Sequence, residues 1–158
     1  MKLEGSCYCK AVTFEVEAYA PVPYLRCYCS ICRKTGGGGG YAINLGARAN
    51  TLKVVGEEHI SMFHAHVHDR ESSGERRFCS RCGSALWACD PSWPDLVHPF
   101  ASAINTPLPV PPENVHILLD SKANWVQVEG RPGDRQFQHY PDQSLEQWHR
   151  SHGLLDED

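Results

Sequence analysis

The sequence predicts a mainly β domain finished by a short C-terminal helix. Short runs alternate apolar and polar residues with the period of a half-buried strand, most clearly Val12, Phe14 and Val16 against Thr13, Glu15 and Glu17. Glycine or proline separates the runs: Pro21 and Pro23 after the first, Gly46 and Gly56 between later ones. Strands do not alternate with long helical patterns, which argues against a doubly wound α/β fold.

Along the chain, a second strand begins near Tyr24, and others are expected at 41–45, 51–55, 59–67, 84–88, 97–104, 115–119 and 125–128. Ser72-Ser73-Gly74 reads as a turn, and Pro107, Pro109, Pro111 and Pro112 enforce an extended connection. Near the end, Ser144-Leu145-Glu146-Gln147 has the form of a capping box opening a short helix that Gly153 stops. Leu145 and Trp148, three apart, give that helix one apolar edge. With 158 residues the chain is read as one domain, 1–158, with its core at about 3–130 and a C-terminal extension and helix at 131–153.

A formal charge of -4 gives no general attraction for nucleic acid. No stretch approaches the roughly 20 apolar residues of a membrane span. Met1 to Gly5 lead to cysteine without the apolar run of a signal peptide, so a cytoplasmic location is expected. In a reducing compartment the eight cysteines are better read as metal ligands or catalytic thiols than as disulfides.

Seven of them fall in short-spaced groups, with Cys89 left over. Cys27, Cys29 and Cys32 lie within six residues: on a strand Cys27 and Cys29 share a face, and a turn after Ser30 can bring Cys32 round to meet them. Three thiolates leave one position open on a four-coordinate zinc ion, the arrangement of catalytic rather than structural sites. Cys7 and Cys9 upstream, with Cys79 and Cys82 downstream, can form a four-thiolate site without using that tripod, and Gly83 permits the tight turn behind the C-x-x-C pair. A redox dithiol has the same C-x-x-C spacing but belongs at a helix start, and both flanks here read as strands. His64, His66 and His68 would face one way on a strand, yet Asp69, Arg70 and Glu71 mark a wet strand end rather than a metal site. The run Gly36 to Gly40 reads equally as a plain loop or as a close backbone approach whose N–H groups hold a carboxylate.

Gly5-Ser6-Cys7-Tyr8-Cys9, Cys27-Tyr28-Cys29-Ser30-Ile31-Cys32-Arg33-Lys34 and Phe78-Cys79-Ser80-Arg81-Cys82-Gly83-Ser84 resemble the glutathione-dependent formaldehyde-activating enzymes, a family that includes the centromere protein V type. The resemblance runs to the Trp148-His149 helix. It implies coiled antiparallel β-sheets, often called a β-tent, with two zinc ions. By resemblance Cys7, Cys9, Cys79 and Cys82 hold a structural zinc, and Cys27, Cys29 and Cys32 a catalytic one.

The activity implied is that of a carbon-sulfur lyase or synthase resembling S-(hydroxymethyl)glutathione synthase, with a small-molecule thiol such as glutathione and an aldehyde as partners. Cations flanking the tripod suit the carboxylates of glutathione. Arg33 and Lys34 are favoured, since strand geometry turns Arg26 away from Cys27. Two alternatives stand beside the enzyme. One is a non-catalytic zinc domain that binds a partner, which would carry an extended basic or apolar tail, whereas the sequence ends Leu154-Leu155-Asp156-Glu157-Asp158. The other is a thiol redox or zinc-handling protein, and homo-oligomerisation is left open.

Overall fold

The fold is taken from a computed structural model that describes residues 1–36 and 38–155. Among them the strands are β1 (Lys2–Ser6), β2 (Thr13–Glu17), β3 (Tyr24–Cys27), β4 (Ala42–Asn44), β5 (Ala47–Arg48), β6 (Lys53–Val55), β7 (Ile60–Val67), β8 (Arg70–Cys79), β9 (Ala85–Cys89), β10 (Leu96–Pro99), β11 (Asn114–Ile117) and β12 (Arg135–Gln136). Two short helices, α1 (Ser30–Gly36) and α2 (Leu145–Ser151), complete the set.

Alternation decides the first sheet. Phe14 and Val16 of β2 and Leu3 of β1 point inward, while Lys2, Glu15 and Lys53 pair across the outer face. This sheet, ordered β1-β2-β6, packs on a five-stranded antiparallel sheet ordered β5-β10-β9-β8-β7. Leu3, Phe14, Leu45, Leu86, Trp87 and Val97 fill the space between them, with the Phe14 and Trp87 rings edge to face at 5.1 Å. A four-stranded sheet ordered β12-β11-β3-β4 closes a second core of Cys27, Cys32, Ala42, Phe100, Val115 and Ile117. Two tripod cysteines are thus core residues.

The mainly β prediction is met, and several local details differ. In the four-stranded sheet β11 runs parallel to both β3 and β12, so this sheet is mixed rather than purely antiparallel. β1 has no counterpart among the expected strands, because Lys2-Leu3-Glu4-Gly5-Ser6 offers a single large apolar side chain; β2 supplies its pairing. The turn expected at Ser72-Ser73-Gly74 lies inside β8; the hairpin instead reverses at His68-Asp69, both with positive φ. Two successive left-handed residues match the twist of a tight hairpin, and Asp and His tolerate that region better than bulky residues do. Strand 97–104 stops at Pro99, whose missing N–H cannot extend the ladder, and Ala101–Ala103 forms a single 3-10 turn. Segment 125–128 is not a strand: Val126 alone is buried there, and Trp125 is exposed.

The C-terminal helix forms as expected. The Ser144 hydroxyl accepts from the Gln147 N–H at 3.1 Å, while the Gln147 side chain accepts from the Ser144 N–H at 2.8 Å. Trp148 is buried and its indole N–H donates to the Glu113 carboxylate; His149 donates to the Val22 carbonyl at 2.6 Å. No helix among the described residues is long and apolar enough to cross a membrane.

Candidate metal centres

Two turns of the chain present the first cysteine cluster. After Cys7 and Cys9 the backbone turns through Lys10 at φ 60, and the Lys10 N–H returns to the Cys7 carbonyl at 3.2 Å. After Cys79 and Cys82 it turns through Gly83 at φ 77, and the Gly83 N–H returns to the Cys79 carbonyl at 2.8 Å. Left-handed φ at these positions folds each pair of sulfurs to one side. Backbone N–H groups then point at the sulfurs: Val12 to Cys7 at 3.3 Å and Arg81 to Cys79 at 3.4 Å. The sulfurs of Cys7 and Cys9 are 3.6 Å apart, and those of Cys9 and Cys79 3.8 Å. A tetrahedron with 2.3 Å metal–sulfur bonds has edges of about 3.8 Å, so this donor set fits zinc. The Ser84 hydroxyl lies 3.2 Å from the Cys82 sulfur and holds that thiol down to about 5, well on the thiolate side at neutral pH.

The second cluster joins a strand end to a helix start. β3 ends at Cys27, and the chain enters α1 at Ser30, so the turn expected after Ser30 is a helical one. The Cys29 sulfur accepts from the Cys32 N–H at 3.3 Å, doing for α1 what an N-cap oxygen does elsewhere. Facing sulfur atoms of Cys27, Cys29 and Cys32 all lie within 4.8 Å of one another, as do those of Cys7, Cys9, Cys79 and Cys82, so each set could hold a metal ion. These are the metal-capable groups among the described residues, and neither contains a histidine. His64 instead hydrogen-bonds the Gly74 carbonyl at 3.0 Å, and a bulge between His64 and His66 breaks their common face.

Hydrogen bonding from the Cys27 and Cys32 thiols pulls the Cys29 thiol far down, while that same contact, with burial, pushes Cys27 far up. Sulfurs packed this closely resist ionising together, and a cation among them would relieve that repulsion.

Tyr28, between two of these cysteines, anchors the loop from the opposite side. Its N–H donates to the Ile117 carbonyl at 3.1 Å, and its hydroxyl lies 2.7 Å from His116 Nδ1. His116 Nε2 faces the Asp134 carboxylate at 3.4 Å. Burial keeps the His116 ring neutral against the pull of Asp134, so the ring accepts from Tyr28 and donates to Asp134. Burial alone would raise Asp134; N–H groups of Asn114 and Arg131 at 2.8 and 3.0 Å, with the His116 ring, hold it at about 2. Arg26 belongs to this network too, through Asn114 at 3.1 Å and Tyr41 at 3.0 Å, and so faces away from the tripod as strand geometry predicts.

On the tripod side Arg76 of β8 places its Nη2 3.5 Å from the Cys32 sulfur. Its Nη1 is buried and has no partner among the described residues. A cavity of about 190 Å³ opens beside Arg76, walled by Thr35, Phe63, Arg76, Arg77, Phe78, Gly83, Ala85 and Phe100. Ala85 and Phe100 share the tripod's core. A larger cleft of about 230 Å³ lies under α2, between Leu25, His98, Arg135 and Trp148; no cysteine lines either space. Arg33 and Lys34, expected from sequence, occupy the last turn of α1: Lys34 is exposed, and Arg33 carries a buried Nε with no partner among the described residues. Gly37, within the glycine run, lies outside the described residues; Gly40, at φ 89, leaves room for Val126, which would sit 2.2 Å from an added Cβ. Arg76, Tyr28, His116 and Asp134 had no signal in the sequence, since each owes its position to a contact with residues remote along the chain.

A mainly β fold carrying one four-cysteine and one three-cysteine cluster defines a class of thiolate metal-site domains. Residues 2–121 match the family model for glutathione-dependent formaldehyde-activating enzymes, and the chain belongs to that family. It is 59% identical over 154 residues, covering 98% of each chain, to a Halomonas elongata protein named "Putative glutathione-dependent formaldehyde-activating enzyme". A crystal structure of a Rhodobacter sphaeroides protein, 30% identical, superposes with a TM-score of 0.52 over 69% of this chain and 92% of that one.

Proposed function

We propose that the chain is a zinc-dependent carbon-sulfur lyase or synthase that joins a small-molecule thiol to an aldehyde, with glutathione and formaldehyde as the pair and S-(hydroxymethyl)glutathione as the adduct. The observation that carries this reading is the convergence of three sulfurs, Cys27, Cys29 and Cys32, in a core beside a cavity, while four others form a separate group. Four thiolates fill a tetrahedral zinc ion, so Cys7, Cys9, Cys79 and Cys82 are assigned the structural metal. Three thiolates leave a position for a substrate, so Cys27, Cys29 and Cys32 are assigned the catalytic one. Zinc held there supplies Lewis acidity that lowers the pKa of an incoming thiol toward neutrality.

The chain's own residues do the rest. Cys29 and Cys32 stay fixed by the helix start, and Tyr28, His116 and Asp134 hold the loop from behind. Phe63, Phe78 and Phe100 wall the cavity with apolar surface and exclude water from the reacting carbonyl. Arg33 and Lys34, at the end of α1, take the carboxylates of glutathione by charge-assisted hydrogen bonds. None of the eight cysteines is in a disulfide, which fits a cytoplasmic setting.

Zinc content per chain, with the rate of S-(hydroxymethyl)glutathione formation, tests this in wild type and Cys32→Ala. Two zinc ions falling to one, with the enzymatic rate lost, is the expected result. One zinc in both proteins and no rate above the spontaneous reaction would overturn it.

A further inference from the structure

We propose that Arg76 is a catalytic residue of this site: its Nη2 arm rests on the Cys32 sulfur while its Nη1 arm takes the oxygen of the carbonyl partner. The inference rests on the thiol–aldehyde reading above and adds to it the group that receives charge on oxygen.

Three observations carry it. Arg76 is reached from a different sheet than the tripod, so its guanidinium lies over the thiolates and is not one of their chain neighbours; Nη2 lies 3.5 Å from the Cys32 sulfur. The second arm, Nη1, is buried and has no partner among the described residues. Buried donors are nearly always satisfied, and a guanidinium cannot shed its proton to escape the cost, so a group left open here is reserved for something that binds. Finally, Arg76 walls the cavity beside the tripod's core, in company with Phe63, Phe78 and Phe100, while Arg77, the other cation of that wall, is paired with the Glu75 carboxylate. An oxygen entering that cavity meets the open arm of Arg76 among aromatic side chains.

Charge points the same way. Three thiolates around a divalent ion carry a net charge of -1, which weakens the pull of the metal on electrons; one guanidinium in contact with a thiolate cancels it. In the forward reaction the sulfur of the thiol forms a bond to the carbonyl carbon, and the C=O π pair moves onto oxygen. The proton lost by the thiol ends on that oxygen, giving R–S–CH2–OH. Arg76 keeps its own protons and donates a hydrogen bond to the oxygen as the charge grows, the position where a fixed donor acts most strongly on rate. The reverse reaction uses the same contact to expel the aldehyde.

Arg76→Met and Arg76→Lys test it with two readouts. In kinetics, Arg76→Met is expected to keep two zinc ions and its fold, with kcat lowered about 100-fold or more and the Kd for glutathione changed less than about threefold. Arg76→Lys, which keeps the charge but loses the fork, is expected to fall between. The second readout needs no turnover: calorimetric titration of the zinc-loaded proteins with 2-mercaptoethanol and ethanethiol. The hydroxyl should improve binding about tenfold in wild type and not at all in Arg76→Met. A wild type that shows this preference but makes no adduct would remove the formaldehyde reading and leave the oxygen contact of Arg76 standing. Equal binding of the two thiols in wild type, an unchanged kcat in Arg76→Met, or loss of the second zinc in both variants would overturn the proposal.

Discussion

The two cysteine clusters differ in the length of chain they close and in where they sit. Cys9 and Cys79 bring together sulfurs 70 positions apart, and two of the cluster's four cysteines are exposed. Cys27, Cys29 and Cys32 span six residues, and two of the three are buried in a core. Closing a long loop removes much chain entropy from the unfolded state, whereas closing six residues removes little. A metal at the long-range cluster therefore acts on the whole fold. A metal at the local one acts on little but its own surroundings, and those contain a cavity and a guanidinium with one buried arm that has no partner among the described residues. On the proposed reading the local cluster is the reactive one and the long-range cluster the staple, because a staple needs only sulfurs while chemistry needs a dry wall.

The largest effect should come from breaking the staple. A structural zinc site of this type is worth on the order of 10 kcal/mol or more, comparable to the whole stability of a small domain. Cys79→Ala should thus yield protein that is unfolded or insoluble, read by circular dichroism and zinc content. Cys32→Ala, by contrast, should melt within about 8 °C of the parent. If the two variants unfold alike, the division of labour between the clusters is wrong.

A middle-sized effect tests the support behind the tripod. Removing the charge of Asp134 by Asp134→Asn should cost about 2 kcal/mol at pH 7, measured by denaturant unfolding, and weaken one zinc site while sparing the other. The pH dependence has a definite sign. Asp134 sits at about 2 in the fold against about 3.9 in an unfolded chain, so its contribution is complete above about pH 4 and disappears as pH falls through about 2. The stability gap between wild type and variant should be equal at pH 7 and pH 5 and begin to close at pH 3.5. A gap that widens on acidification would mean that the network around His116 is not built on the Asp134 carboxylate.

What could be read in the sequence divides along the same lines. Spacing is local, so Cys27, Cys29 and Cys32 announce a tripod, and Cys7-x-Cys9 and Cys79-x-x-Cys82 announce two arms of one cluster. Alternation is local too, and β2 was legible from it. The capping box at Ser144 was legible for a third local reason, a side chain three residues from its partner. Arg76, Asp134 and His116 were not. Each is an ordinary polar residue until another sheet or loop comes within hydrogen-bonding distance, and pairing partners 88 positions apart, as Tyr28 and His116 are, leave no spacing to read. β1 escaped for a related reason, since its strand character comes from β2 rather than from its own composition.

The smallest effect separates conformational strain from steric fit at the two glycines nearest the clusters. Gly83, behind the Cys79 and Cys82 pair, has φ 77 and open space where a Cβ would stand. Gly83→Ala therefore meets only the left-handed backbone penalty, about 1 kcal/mol, or a drop in Tm of about 2–4 °C. Gly40 has φ 89, but an added Cβ would also lie 2.2 Å from Val126, which packs with Tyr28 beneath the tripod. Gly40→Ala should then cost more in stability than Gly83→Ala and also disturb the tripod, lowering adduct formation. If Gly83→Ala proves the more damaging of the two, the thiolate turn tolerates no relaxation of its backbone, and the closed cluster would have to be counted among the most tightly constrained parts of the fold.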